Sequence, residues 1–206
     1  MQITMIRHGM TRGNTQKRYI GITDESLCPE GIKALEKGIT EDCYPAADTI
    51  YASPLGRCIE TAKLLYPDRK IQLVDEFREI NFGIFENMNY AELKDMPAYQ
   101  KWLKSGGEAA FPDGESKTDF VRRCKRGMDR LLEVWTKDPE KWRDERIAFV
   151  VHGGTIMALL SVFDIEKKSY YEYQVENGGG YVCEADLFAP FTLKVKKRIM
   201  IGGDLG

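Results

Sequence analysis

Residues 1–9 read MQITMIRHG and residues 146–154 read RIAFVVHGG. Each is an apolar, strand-like run that ends in a histidine followed by a glycine, and His8 and His152 are the only 2 histidines in the chain. A buried strand that stops at a Gly-rich turn delivers its last side chain to the carboxyl edge of a sheet, where open α/β folds bind ligands. Two such deliveries, far apart in sequence and alike in context, suggest that both imidazoles converge on one site.

Further strand-like runs, rich in Ile, Val and aromatics, lie near 48–52 and 70–74. Helical patterns fall between them at 30–40 and 55–66, the second with Leu55, Ile59, Ala62 and Tyr66 at helical spacing. A longer helix is expected after Ser116, with Phe120, Cys124, Met128, Leu131 and Trp135 on one stripe and Ser116 with Asp119 as its capping box. This alternation predicts a layered α/β fold with a mainly parallel sheet. Residues 180–188 and 191–200 suggest a hairpin turning at Ala189-Pro190. Residues 84–115, punctuated by Pro97, Gly106, Gly107, Pro112 and Gly114, break the alternation. They read either as an excursion that lids the sheet edge or as a plain surface connection.

The 206 residues fit one domain, 1–206, with a sizeable core. A formal net charge of -2 provides no global positive field to recruit nucleic acid or an anionic membrane. An anionic substrate would need arginines gathered locally. The 5 cysteines show no metal-ligand spacing and read as reduced intracellular thiols. Neither a signal peptide nor a membrane span is expected, which points to a cytoplasmic protein.

Four stretches carry chemistry. The turn Arg7-His8-Gly9-Met10-Thr11-Arg12-Gly13-Asn14 gathers a guanidinium, an imidazole, a hydroxyl and a carboxamide. Arg forks suit phosphate oxygens, and Thr11 and Asn14 supply neutral donors. In SPLGRCIETA, residues 53–62, Arg57 falls in the first turn of a helix, where free N–H groups and the dipole favour an anion. His152-Gly153-Gly154-Thr155 sets the second imidazole at another helix start, and Glu79 stands between a strand and a Gly turn as a candidate acid–base. Taken singly, Arg57 also reads as a solvated helix arginine and Glu79 as a partner of Arg78. The basic run Arg122, Arg123, Lys125 and Arg126 reads as a solvated helix face. Tyr170, Tyr171 and Tyr173, or Trp102 and Phe111, are ring-stacking candidates that also suit core or rim.

Together these stretches resemble the histidine phosphatase superfamily, on the branch of cofactor-dependent phosphoglycerate mutases and α-ribazole phosphatases. RHGMTRGN is similar to its RHGxTxxN, SPLGRCIETA to its SPxxRxxxTA, and EINFG and VVHGG follow in the family's order. The resemblance implies a three-layer α/β/α sandwich with a mainly parallel central sheet. It implies that His8 is a nucleophile forming a phosphohistidine. Arg7, Arg57 and His152 would clamp the phosphoryl group, with Asn14, Thr11 and Gly153 as further phosphate contacts and Glu79 as general acid, then base. No metal or other cofactor is implied, and the partner expected is a small phosphorylated metabolite.

Mutases of the family carry Arg-x-Tyr-Gly after the acid and Asn after the second His-Gly. This chain has Ile80-Asn81-Phe82-Gly83 and Gly154 there, so the resemblance favours a phosphomonoesterase acting on α-ribazole 5′-phosphate or a sugar phosphate. A phosphoglycerate mutase and a catalytically silent phospho-ligand binder are the alternatives.

Overall fold

The structure is a computed structural model that describes residues 1–188 and 190–201. Six strands form one sheet: β1 (Gln2–Arg7), β2 (Thr49–Ala52), β3 (Ile71–Leu73), β4 (Arg146–Val151), β5 (Gly180–Asp186) and β6 (Thr192–Ile199). Their order is β3-β2-β4-β1-β5-β6. The ladders from β3 to β1 are parallel, and β5 and β6 continue the sheet antiparallel. The sheet is thus mixed, parallel on the side that carries the expected motifs. Of the expected hairpin turn, Pro190 is described and Ala189 lies outside the described residues.

The helices are α1 (Arg12–Thr15), α2 (Pro29–Thr40), α3 (Gly56–Leu65), α4 (Tyr90–Leu93), α5 (Pro97–Lys104), α6 (Lys117–Trp135), α7 (Pro139–Trp142) and α8 (Gly153–Phe163). Short 3-10 turns occupy Asp75–Phe77, Gly83–Phe85 and Tyr170–Tyr173. The two-residue period of a strand sorts the core. Ile147, Phe149 and Val151 of β4 face Phe120, Cys124, Met128 and Trp135 of α6 and Ile156 and Leu159 of α8. Ala148 and Val150 face Cys58 and Ala62 of α3 on the other side. A β4 buried on both faces is what a central parallel strand requires, and its continuous apolar run reflects that.

Strand β1 pairs in register with β4, Arg7 opposite Val151, and the His8 N–H donates to the Val151 carbonyl at 2.9 Å. One residue past the paired ends, His8 and His152 are neighbours by construction. The chain leaves β2 at the same edge into Ser53 and α3, and leaves β3 through the 75–77 turn toward Glu79. Residues 84–115 cross over this edge as α4, α5 and loop. Their core is aromatic, with Trp102 stacked on Phe111 at 4.9 Å between ring centroids and Phe85 edge-on to Tyr99 at 5.3 Å. The Tyr19 and Tyr99 hydroxyls, 2.9 Å apart, tie this layer to the loop after α1.

Candidate active site

Thr11 starts α1 as its N-cap: the Thr11 hydroxyl accepts the Asn14 N–H, while Asn14 Oδ1 accepts the Thr11 N–H. This reciprocal cap folds the Arg7–Asn14 turn back over the end of β1. Thr61 of α3 pins the turn from below, its Oγ1 accepting the Gly9 N–H at 3.0 Å. Asn177 pins it from the side. Its Nδ2 donates to the His8 carbonyl and to Asn14 Oδ1, each at 3.1 Å.

His8 Nδ1 lies 2.7 Å from the Gly9 carbonyl, which can only accept, so the ring proton sits on Nδ1. Nε2 then presents its lone pair, and the Arg57 Nε–H donates to it at 3.3 Å. Arg57 is wholly buried, and its remaining hydrogen bonds run to the carbonyls of Thr23 and Gly21, both 2.8 Å. All of these acceptors are neutral. A buried guanidinium without a carboxylate among its hydrogen-bond partners is a standing attraction for an anion. Arg7 adds a second cation. Its Nη1 donates to the Val175 carbonyl at 2.8 Å, and its buried Nε finds no partner among the described residues.

His152 caps α8 with extended backbone, and its Nε2 lies 2.8 Å from the Ser53 hydroxyl. The His8 and His152 rings meet edge to face with centroids 5.2 Å apart. Burial, then the Arg57 and Arg7 cations, hold His8 well below the usual histidine value of 6.5. Burial, then Arg57, then His8, do the same to His152. Both rings are therefore neutral at pH 7. Burial also pushes the Glu79 carboxyl up, against the N–H groups of Ile80 (2.9 Å) and Gly154 (3.2 Å) that favour its charge. Neutral imidazoles, free cations and a carboxyl biased toward its acid form suit nucleophilic attack on a dianion with proton delivery to the leaving atom.

A cavity of about 500 Å³ opens over this group, with Arg7, Asn14, Glu79, Gly153 and Gly154 among its lining residues. Gly153 sits against Arg7, where a Cβ would fall 3.4 Å from Nε. The walls include Tyr19, Phe82, Trp102, Phe111, Tyr170 and Tyr171. His8, Arg57 and His152 lie behind this lining, with 4%, 0% and 0% of their surfaces exposed.

Comparison with known proteins bears on what such a site belongs to. The family model of the histidine phosphatase superfamily (branch 1) matches residues 3–191. The chain belongs to that superfamily. A curated relative, the "Probable phosphoglycerate mutase GpmB" of Yersinia pestis (strain Pestoides F), is 31% identical over 140 residues. That match covers 65% of this chain and 64% of the relative. The solved α-ribazole phosphatase of Shigella flexneri is similar over 99% of this chain and 100% of its own, at 25% identity and TM-score 0.79. The phosphoglycerate mutase of Thermus thermophilus is similar over 98% and 99%, at 26% identity and TM-score 0.69. As a member of the superfamily, the chain has the six-stranded sheet flanked by helices that these neighbours share.

Within this member of the superfamily, His8, His152, Arg7, Arg57, Glu79, Asn14 and Gly153 are brought to one sheet edge as expected. Thr11 is not at the cavity. It is fully buried, and its hydroxyl is committed to the α1 cap, so it orients Asn14. Arg78 pairs with Asp75, leaving Glu79 free of it. Tyr173 is core, its hydroxyl donating to Asp164 at 2.7 Å. The solvated-face reading holds for Arg122, Lys125 and Arg126, which are exposed, and fails for Arg123. Arg123 turns inward to the segment that carries Glu79. Ser116 caps α6, accepting the Asp119 N–H at 3.0 Å, but the expected reciprocal box does not form: the Asp119 carboxylate takes the Ser116 hydroxyl and not its backbone N–H. No helix among the described residues is long and apolar enough to cross a membrane.

Proposed function

We propose that the protein is a metal-independent phosphomonoesterase that works through a phosphohistidine on His8. The observation that carries this reading is the state of His8: Nδ1 is fixed by the Gly9 carbonyl, and Nε2 faces Arg57 with a lone pair. One lone pair cannot both accept the Arg57 N–H and attack phosphorus. A phosphate oxygen must therefore take that N–H first, which frees Nε2 as the substrate is clamped. Nε2 then bonds to phosphorus as the bond to the leaving oxygen breaks, and Glu79 gives that oxygen its proton. The alcohol departs. Glu79, now a carboxylate, takes a proton from water while the water oxygen attacks phosphorus. The P–N bond breaks, phosphate leaves and Glu79 is again an acid. The arginines and His152 hold the charge spread over the equatorial oxygens.

Gly154 favours hydrolysis over the mutase alternative. A Cβ at this position would lie 2.2 Å from Glu79 Oε1, so the carboxyl occupies space that the side chain mutases carry there would need. The substrate is a small phosphorylated metabolite, and the aromatic walls favour a ring-bearing alcohol such as α-ribazole 5′-phosphate over an open-chain one. We place it in the cytoplasm, acting on a free small molecule and not on nucleic acid or a membrane.

The test is phosphate release under chelator from α-ribazole 5′-phosphate, 3-phosphoglycerate, sugar phosphates and nucleotides, with His8→Ala as control. Mutase product is followed in parallel with 2,3-bisphosphoglycerate present. Release that His8→Ala abolishes supports the reading. Isomerised product outpacing phosphate release would establish the mutase, and no turnover of any ester would leave a phospho-ligand binder.

A further inference from the structure

Beyond Phe77, the segment that delivers Glu79 belongs to no strand or helix. Its carbonyls are nonetheless all taken, from residue 76 to residue 79. Arg123 Nη1 donates to the Glu76 carbonyl at 2.8 Å and the Arg78 carbonyl at 3.0 Å, and Nη2 to the Glu79 carbonyl at 3.2 Å. Thr155 Oγ1 donates to the Phe77 carbonyl at 3.1 Å. The other two Arg123 donors form a fork on Glu115, Nε to Oε1 at 3.0 Å and Nη2 to Oε2 at 2.7 Å. All five guanidinium N–H groups are thus used. Glu115 is the last residue of the 84–115 excursion, and its own N–H donates to the Asn81 carbonyl at 2.9 Å.

We propose that Arg123, locked by Glu115, is a positioning residue that sets where the Glu79 carboxyl meets the leaving group. Its anchor points span three carbonyls around the acid and the root of the excursion that roofs the cavity. The root of the roof and the placement of the proton donor are therefore linked through one guanidinium. A lysine keeps the charge but has three donors on one nitrogen and cannot reach this spread of acceptors. The inference rests on the phosphomonoesterase reading, in which Glu79 protonates the leaving oxygen.

The experiment compares wild type and Arg123→Lys on p-nitrophenyl phosphate and glycerol 2-phosphate. An aryl oxide leaves with little help, whereas an alkoxide needs the acid. Arg123→Lys should therefore lower kcat on glycerol 2-phosphate by about tenfold to a hundredfold and on p-nitrophenyl phosphate by less than about threefold. The alkaline limb of kcat/KM for the alkyl ester should move to lower pH as Glu79 leaves its buried seat. Adding Arg123→Lys to Glu79→Gln should cost nothing further, as expected of a residue that acts through the acid. Equal loss on both esters, an unmoved limb, or additive losses in the double variant would overturn the proposal. Should Arg123→Lys fail to fold, Glu115→Gln breaks the same fork and is read by the same criteria. Failure of the underlying reading is distinguishable, because the wild type itself would then show no His8-dependent phosphate release from either ester.

Discussion

The Arg57 Nε–H points at Nε2 of His8 from 3.3 Å, so a wholly buried cation covers the lone pair that the proposed chemistry needs. The same cation helps hold the His8 ring neutral. Arg57 therefore does two things with one group: it keeps the imidazole unprotonated and waits for a better acceptor than nitrogen.

Arg57→Ala should lower kcat/KM by roughly 10²–10³, the usual effect of removing one preorganised donor to a developing charge. It should also move the acid limb of the kcat/KM profile to higher pH. That limb reports protonation of His8, whose value Arg57 depresses and whose release from the cation lets it rise. A pH series of kcat/KM for both proteins checks this, and a limb that stays put refutes the coupling.

Glu79→Gln should slow alkyl phosphates by about 10²–10⁴ and aryl phosphates far less, because a carboxamide cannot supply the leaving oxygen with its proton. Steady-state rates on esters graded by alcohol pKa give the answer in one slope. A slope equal to that of the wild type removes Glu79 from the acid role.

The two imidazoles also predict how stability depends on pH. Both have folded values depressed below the ordinary 6.5, so below that pH the unfolded chain binds protons that the folded protein refuses. Stability is therefore whole above 6.5 and falls as pH drops beneath it. Glu79, with a raised folded value, works in the opposite sense, gaining a proton in the folded state first. Two histidines against one carboxyl leave a net loss. The Tm of the unliganded protein should fall steadily from pH 7 to pH 5.5, and a flat or rising Tm would contradict this balance.

Gly154→Ala places a Cβ 2.2 Å from Glu79 Oε1 and 3.1 Å from a ring carbon of Phe120. One of the two must shift. The overpacking should destabilise the fold by ~1–3 kcal/mol in urea unfolding. It should also depress turnover of alkyl esters more than of aryl esters, since the displaced group is the carboxyl. Loss of stability with an unchanged ratio of the two activities would show that Phe120 moves instead.

Most of the architecture was readable because burial leaves periodic marks. The run at 146–151 announced a buried strand, and Phe120 to Trp135 announced one face of α6. His8 and His152 were legible as a pair because in-register parallel strands carry equal endings to equal depth. Arg123 was not, since the carbonyls it holds at 76, 78 and 79 are remote in the chain and its neighbours Arg122, Lys125 and Arg126 are solvated. Its helical phase held the clue: it sits three after Phe120 and four before Gly127, both on the buried stripe. Asn177 and Thr11 escaped for a related reason. A short polar side chain in a loop reads as a ligand contact or as a turn, and only the fold reveals that it is tethering backbone.

Strand β1 is synthesised before every other strand of the sheet yet lies between β4 and β5. The segment bearing His8 therefore precedes both of its partner strands in the chain, and its pairings close long loops. A nascent chain halted before Arg146 already contains His8, Arg57 and Glu79 but has no β4 to seat the first beside the others. A copy that ends before His152 lacks both the strand and the second imidazole of the proposed site, and on the proposed mechanism it is expected to release no phosphate.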